Sequence, residues 1–514
     1  MTPKYIRKLL IIQIIIMFFF SACTAGQPSL PFQSTPSPTP PPPTSIPTVT
    51  ITPLPMPTAT STSIPFPSLT LPKGDNYFNI DGIPTFILSR NPTGKNATDF
   101  STVLEWAHEG GTRIIRVHIT HGWWSDPWIN KDWSVNEKWA QNWDGFFDQA
   151  QAYGIYVIPV FAVWADWNDG TPDWGSPLWQ YNPLNTANGG PVSAPGDLFV
   201  SGSDTQNHWM QWVGTLVNRW QDRKNIAGWE IFSELDIASG PENTMDINGA
   251  VDEAIGIDFT NKAMQVIHTS DTLDRPVTSS LAGVYSAAGK WASYYSLESL
   301  DFIEVHYYSD TIDRDLLKKI RQFQTTYNKP VLIGECGLWS MTHNANAPIG
   351  IKHAVWAGLV SGAMNSRALW DQDGYYIYAI SNRASAIAFM ETYATVELPV
   401  ANFTSGVDFT NFQPLDSTST FGVWGASIGN EKMVLGWYRD SLSEPPDWNL
   451  QPVVTGQKVT ITVPGTSTDW QVDFYDTMDG MRIVSTSSVS RVGNEITLLL
   501  PDFKNDIAFK MHSK

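Results

Sequence analysis

"GWEIFSELD", residues 228 to 236, is an apolar run carrying two glutamates four positions apart, Glu230 and Glu234, with Ser233 directly before the second. Apolar and aromatic residues packed into so short a run, with a helical pattern following at 249–269, mark a strand that feeds a helix. The same texture recurs on both sides. Strand patterns fall at 85–89, 112–120, 155–164, 226–234, 276–282, 301–308, 330–337 and 367–371. Helical patterns fall between them at 99–109, 137–153, 205–221, 249–269, 313–326 and 350–362, with shorter ones near 291–297 and 383–393. Eight strands, each followed by a helix, predict a (β/α)8 TIM barrel. An open doubly wound sheet is the rival, but no Gly-rich phosphate loop follows the first strand.

On either side of the barrel the texture changes. From about Leu398, helical periodicity gives way to short runs such as "KMVLGWYRD" and "QKVTITVP" separated by turn residues, which predict a C-terminal all-β sandwich over 398–514. Its Trp424, Trp437 and Trp470 fit core or domain interface better than sugar binding. Residues 24–72 are almost entirely Pro, Ser and Thr; they offer too little apolar surface for a core and read as a disordered, extended stalk. Residues 1–23 have a basic start, an apolar run from Leu9 to Phe20 and small residues before Cys23, the plan of an export signal. The run is shorter than the roughly 20 residues of a spanning helix. The barrel is expected over 73–397.

Composition narrows the partners. A net charge of −18 argues against nucleic acid, whose phosphates demand clustered Lys and Arg. Only 16% of residues are charged while 23 are tryptophan, a balance that suits neutral, ring-shaped ligands such as sugars, whose C–H faces stack on indole. Two cysteines, Cys23 and Cys336, leave an exported chain without an internal disulfide. No ligand spacing for a metal and no cofactor motif is present, and the chain is read as a monomer.

In a barrel of this kind, chemistry gathers at the C-terminal ends of the strands. Strand four ends at Glu234 and strand seven at Glu335. Two carboxylates over one mouth meet the need of glycoside hydrolysis, in which one acid protonates the leaving oxygen and the other attacks the anomeric carbon or activates water. By the two-residue period, 230, 232 and 234 share a face. Glu230 then points into the barrel below the site; with Glu304 it reads as part of a buried network with Arg116 or His118 as partners, since a buried carboxylate is rarely left unpaired.

These motifs resemble those of clan A glycoside hydrolases, particularly family 5, the cellulases and mannanases. "GWEIFSELD" is similar to their strand-four Asn-Glu motif, "VLIGECG" to the strand-seven motif and "VHYYSD" to the strand-six His-x-Tyr. The resemblance spans roughly residues 75 to 395. It implies a retaining double displacement with Glu234 as acid/base and Glu335 as nucleophile, Tyr308 supporting the nucleophile and His306 contacting substrate. Arg116 matches the family's arginine near the nucleophile, and Trp370 its sugar-stacking tryptophan. Ser233 departs from the pattern, standing where the family has an Asn that donates to the substrate's 2-hydroxyl. "FSAC" resembles the bacterial lipobox, implying lipidation of Cys23 and a membrane-anchored, extracellular protein; the alternative is cleavage and secretion.

The resulting expectation is a hydrolase of β-glucan or β-mannan type. The loop "HGWWSDPW" and the segment 165–203, with Trp167, Trp174 and Trp179, are expected to wall its cleft. A non-catalytic carbohydrate-binding surface lipoprotein with a degenerate barrel is the alternative, and a stalked adhesin that binds through the sandwich is a third.

Overall fold

The computed structural model describes residues 66–92, 100–120, 126–170, 178–242, 249–282, 291–309, 311–337, 347–367, 396–444, 448–449 and 451–514. Expectations for Cys23, for Trp123, Trp124, Trp174 and Trp370, and for a helix near 383–393 lie outside these residues. Among the described residues, no helix is long and apolar enough to cross a membrane.

Eight parallel segments form the barrel wall: β1 (Ile87–Arg90), β2 (Ile114–His118), β3 (Tyr156–Val160), β4 (Trp229–Glu230), β5 (Val277–Thr278), β6 (Ile303–Tyr308), β7 (Val331–Gly337) and β8 (Asn365–Ser366). Six of them pair in the order β8-β1-β2-β3-β4-β5, and β7 pairs with β6. A parallel bridge between Leu281 and Val305 joins the fifth segment to the sixth. Between seven and eight, Met364 N donates to Val331 O, and the Asn365 side chain bonds both Ile333 N and Ile333 O. The strand expected over 226–234 is reduced to two ladder residues flanked by bridges at Ile226 and Ser233. Close to its start, a Cβ at Gly228 would stand 2.6 Å from Pro276 O, so glycine permits a tight approach to the fifth segment.

The wall is covered by α1 (Phe100–Glu109), α2 (Glu137–Ala152), α3 (Asp204–Trp220), α4 (Glu253–Ser270), α5 (Ile312–Tyr327) and α6 (Ala347–Ser361). Side chains of Asn136, Ser203 and Asp252 cap α2, α3 and α4 by accepting from Trp139 N, Gln206 N and Ala254 N. Each such cap is worth about 1 kcal/mol. Among the described residues after β5, a 3-10 turn, Tyr294–Ser296, stands where the short helical pattern is expected.

Inside the barrel, alternate residues divide the axis into two levels. Ile87, Ile114, Tyr156, Ile158, Phe302, Leu332 and Met364 form one apolar cluster at the N-terminal ends of the strands, closed by Phe78 with Phe66, Leu69, Leu71 and Ile80 packed against it. Phe66 meets the Tyr156 ring edge-on at 4.9 Å, and Leu69–Thr70 pairs with Asn79 and Ile80. Residues 66–72 therefore belong to the barrel floor and not to the stalk. Their large side chains bury apolar area that the prolines before them lack. Above this floor the axis turns polar, beginning at Arg116.

Beyond α7 (Leu398–Thr404) lie nine antiparallel strands: β9 (Gln413–Leu415), β10 (Ser417–Ser419), β11 (Val423–Gly429), β12 (Met433–Asp440), β13 (Lys458–Thr462), β14 (Asp469–Tyr475), β15 (Ile483–Ser490), β16 (Glu495–Leu499) and β17 (Asp506–Ser513). One sheet has the order β9-β11-β12-β17-β14-β15 and the other β10-β13-β16. Val434, Tyr438, Val472 and Phe509 pack toward the smaller sheet with Val459, Ile461 and Ile496. On the opposite face of the same strands, Leu435, Trp437 and Ala508 join the barrel's outer core with Trp356 of α6. The central strand β12 is thus buried on both sides. Two buried ion pairs pin the junction, Lys352 to Asp506 at 2.6 Å and Arg439 to Asp313 at 2.6 Å. Trp437 and Trp470 are fully buried, and Trp424 stacks under the guanidinium groups of Arg314 and Arg439.

Candidate active site

Arg116 projects from the middle of β2 and organises the polar level. Its Nε and Nη2 donate to the two oxygens of Glu230 at 2.5 and 2.7 Å, its Nη1 donates to Glu335 Oε1 at 3.1 Å, and Nη2 also donates to Ser233 Oγ at 2.9 Å. Glu304 Oε1 stands 2.5 Å from Arg116 Nε. His118 Nε2 lies 3.1 Å from Nη1. The buried Glu230 and Glu304 thus share one guanidinium, whose planar fork serves several carboxylates at once.

Over this base sits the carboxylate pair. Tyr308 OH donates to Glu335 Oε2 at 2.9 Å, so Arg116 and Tyr308 hold one oxygen each. His306 Nδ1 lies 2.9 Å from Glu234 Oε1 and 3.4 Å from Glu335 Oε2. An oxygen of Glu234, a ring nitrogen of His306 and an oxygen of Glu335 all lie within 4.8 Å of one another. One oxygen of each carboxylate is therefore close enough to the other for both groups to act on a single bond.

Burial and charge set the proton affinities. Burial, augmented by the charge of Glu335, raises the pKa of Glu234 despite the hydrogen bond from His306. Burial alone would lower His306, but Glu335, Glu234 and Glu304 outweigh it and push the imidazole up to about 10. Glu230 is pushed up to about 8 by burial, with Arg116 opposing, whereas for Glu304 the attraction of Arg116 and His306 exceeds the burial effect and lowers it. The imidazole thus stands between Glu234 and Glu335 with Nδ1 facing an oxygen of each.

The structure brings Arg116, Ser233, Glu234, His306, Tyr308 and Glu335 together. It also corrects how strand four presents them. Phe232 does not share a face with Glu230; it packs outward on Phe199 and Phe259, while Ser233 turns inward to Arg116. The cause is that the ladder stops at Glu230 and Glu234 takes a left-handed backbone, φ 60° and ψ 51°. Strand seven makes a comparable adjustment. A register shift between Ile333 and Glu335 places both Leu332 and Glu335 inside the barrel.

The expected aromatic walls are partly corrected as well. Trp167 and Trp179 are buried and stacked on each other at 5.7 Å, and Trp128 is buried against Trp212, because these long loops fold back as local cores. Between the loops after β3 and β4 lies a groove of about 890 Å³, bordered by Asp169, Asp197, Phe199, Ser239 and Glu242.

Several residues of the site have no counterpart among the sequence expectations. Asn91, just past β1, donates from Nδ2 to Arg116 O at 2.9 Å and accepts from Arg116 Nη1 through Oδ1. Ser280 touches both Glu234 N and Glu230. The fully buried Asp236 accepts from Ala282 N at 2.7 Å, and burial pushes its carboxyl up to about 7. Asn91 and Asp236 are polar residues near strand ends, which is the only signal their sequence context carries.

Residues 266–352 match the family model described as the glycosyl hydrolase catalytic core, a stretch that includes His306, Tyr308 and Glu335. Among solved structures, a family 5 glycoside hydrolase from Bacteroides vulgatus is similar with a TM-score of 0.56 at 13% identity, over 87% of this chain and 94% of that one. The fold is that of TIM-barrel glycoside hydrolases. A family 30 endoxylanase from Clostridium papyrosolvens (TM-score 0.47, 11% identity, 84% and 97% covered) and an endo-β-1,4-mannanase from Thermotoga petrophila (0.43, 13%, 82% and 97%) match more weakly and add no weight. No relative was found among curated proteins. The family match, the fold and the paired carboxylates together support glycosidase activity.

Proposed function

We propose that the protein is a retaining β-glycosidase acting on a β-glucan or β-mannan chain, with Glu335 as nucleophile and Glu234 as acid/base. The observation that carries this reading is the closeness of the two carboxylates, one oxygen of each within 4.8 Å of the other, at the mouth end of the barrel. Glu335 attacks the anomeric carbon while Glu234 donates its proton to the departing glycosidic oxygen; Glu234 then takes a proton from the water that cleaves the glycosyl ester. Arg116 and Tyr308 orient one Glu335 oxygen each, which aims the attacking lone pair and lowers the entropy of approach. The burial that raises the pKa of Glu234 favours the protonated form that an acid needs.

Trp370 is proposed as the stacking platform for the sugar. Tethering through a lipidated Cys23 at the cell surface is proposed on the lipobox resemblance. One observation favours the second reading, a barrel that binds glycan without cleaving it: Ser233 is 1% exposed and its Oγ accepts from Arg116, so the short side chain is recessed from a sugar 2-hydroxyl.

Separate Glu335→Gln and Glu234→Gln variants assayed on soluble β-glucans and β-mannans distinguish the two. The enzymatic reading requires wild-type turnover and loss of at least about a thousandfold in the Glu335→Gln variant. Wild type and variants that behave alike on every glycan would leave only binding. A 2-deoxy-2-fluoro glycoside should form a covalent adduct on Glu335.

A further inference from the structure

Glu234 is not a glycine, yet it occupies the left-handed region, at φ 60° and ψ 51°. An L-residue adopts that conformation at a steric cost and keeps it only where its surroundings impose it. Here the imposition comes from one short segment following β5. Glu234 N donates to Ser280 Oγ at 3.2 Å, Leu235 N donates to Ser280 O at 3.1 Å, and Ala282 N donates to Asp236 Oδ1 at 2.7 Å. The Ser280 hydroxyl, fully buried, gives its own proton to Glu230 Oε1 at 2.9 Å. One hydroxyl therefore connects the backbone of Glu234 to the Glu230 carboxylate, which Arg116 joins to Glu335.

We propose that Ser280 is a positioning residue that holds Glu234 in its left-handed turn and so aims the acid/base carboxyl at the leaving-group oxygen. The inference rests on the assignment of Glu234 as acid/base. Without the hydroxyl, Glu234 N loses its acceptor inside the protein and Glu230 loses a donor. The backbone at 234 then relaxes toward negative φ, and the carboxyl leaves its place 2.9 Å from His306 Nδ1. Misplacing a catalytic group by about an ångström costs up to about a hundredfold in rate.

The test compares Ser280→Ala with wild type and Glu234→Gln on two kinds of β-cellobioside and β-mannobioside. One kind carries a 2,4-dinitrophenyl leaving group, which departs without protonation. The other is an unactivated tetrasaccharide, whose alkoxide leaving group needs the acid. Ser280→Ala should lower kcat/KM on the tetrasaccharide by about ten- to a hundredfold and change kcat/KM on the dinitrophenyl glycoside by less than about threefold. A crystal structure of the variant should show Glu234 out of the left-handed region or its carboxyl displaced from His306. Equal losses on both substrates, or an unmoved Glu234, overturn the proposal while leaving the glycosidase reading intact. If Glu234→Gln itself fails to discriminate between the leaving groups, the acid assignment fails and takes this inference with it.

Discussion

Gly334→Ala offers a demanding check on the ionic layer. Gly334 sits at the register shift of β7, and a Cβ there would stand 1.9 Å from Glu304 Oε1 and 2.6 Å from Glu304 Cδ and Cγ. No side chain tolerates such contacts, so Glu304 must leave its place beside Arg116 and His306. Overpacking a close-packed interior costs about 1–3 kcal/mol. Separating a buried carboxylate from its cation costs about 3–5 kcal/mol, softened here because Arg116 keeps Glu230 and Glu335. The expected loss is about 3–6 kcal/mol, a large share of the 5–15 kcal/mol that holds a typical domain together. Urea unfolding of wild type, Gly334→Ala, Glu304→Ala and the double variant measures the coupling. In the Glu304→Ala background, the added methyl enters vacated space and should cost less than about 1 kcal/mol. If Gly334→Ala costs the same in both backgrounds, the steric conflict with Glu304 is not what makes the glycine necessary.

The remaining expectations concern pH, the junction and Ser233. His306 has a folded pKa of about 10 against 6.5 unfolded, so its stabilisation is complete below about pH 6.5 and is lost as pH rises toward 10; Glu230, raised to about 8, and Asp236, raised to about 7, prefer their protonated forms and push the same way. The melting temperature should therefore fall between pH 6 and pH 9, and a calorimetric profile that rises over that interval contradicts these assignments. Lys352→Ala leaves Asp506 buried without its cation and should cost about 3–5 kcal/mol, read by denaturant unfolding; a loss below about 1 kcal/mol shows that Trp437 and Thr477 suffice to satisfy the carboxylate. Ser233→Asn extends a donor past Arg116 toward the mouth and should raise kcat/KM on glycans by about tenfold; a decrease shows that the site is shaped around serine.

The sequence carried the barrel because each strand is a compact apolar run and the helices repeat at their own period. Glu234, Glu335, His306 and Tyr308 were legible for a related reason, since each lies at or near the end of a recognisable strand. Strict alternation failed where the backbone departs from a ladder. Neither the left-handed turn at Glu234 nor the shift beside Gly334 has a signature in composition, and both redirect side chains by one position. Trp167 and Trp179 misled because their bulk suits a sugar platform and a loop core equally well, and only tertiary packing decides between them. Ser280 is the second of two adjacent serines in an otherwise ordinary run, so its two side-chain hydrogen bonds become visible only when strands four and five are side by side. Phe66, Leu69 and Leu71 were masked by the prolines and serines around them, although their size is what fixes them to the barrel floor.

The central strand of the larger sheet, β12, buried on both faces, has a consequence for inheritance. A binding module joined to an enzyme by a linker can be exchanged between genes because its surface owes nothing to its neighbour. Here β12 must satisfy two cores with alternate residues, Val434 and Tyr438 for one, Leu435 and Trp437 for the other. Lys352 on α6 and Asp313 on α5 depend on charges contributed by β17 and β12. Recombination at the junction would strand those groups in an apolar interior, so barrel and sandwich are expected to descend together, with substitutions on either side compensated on the other.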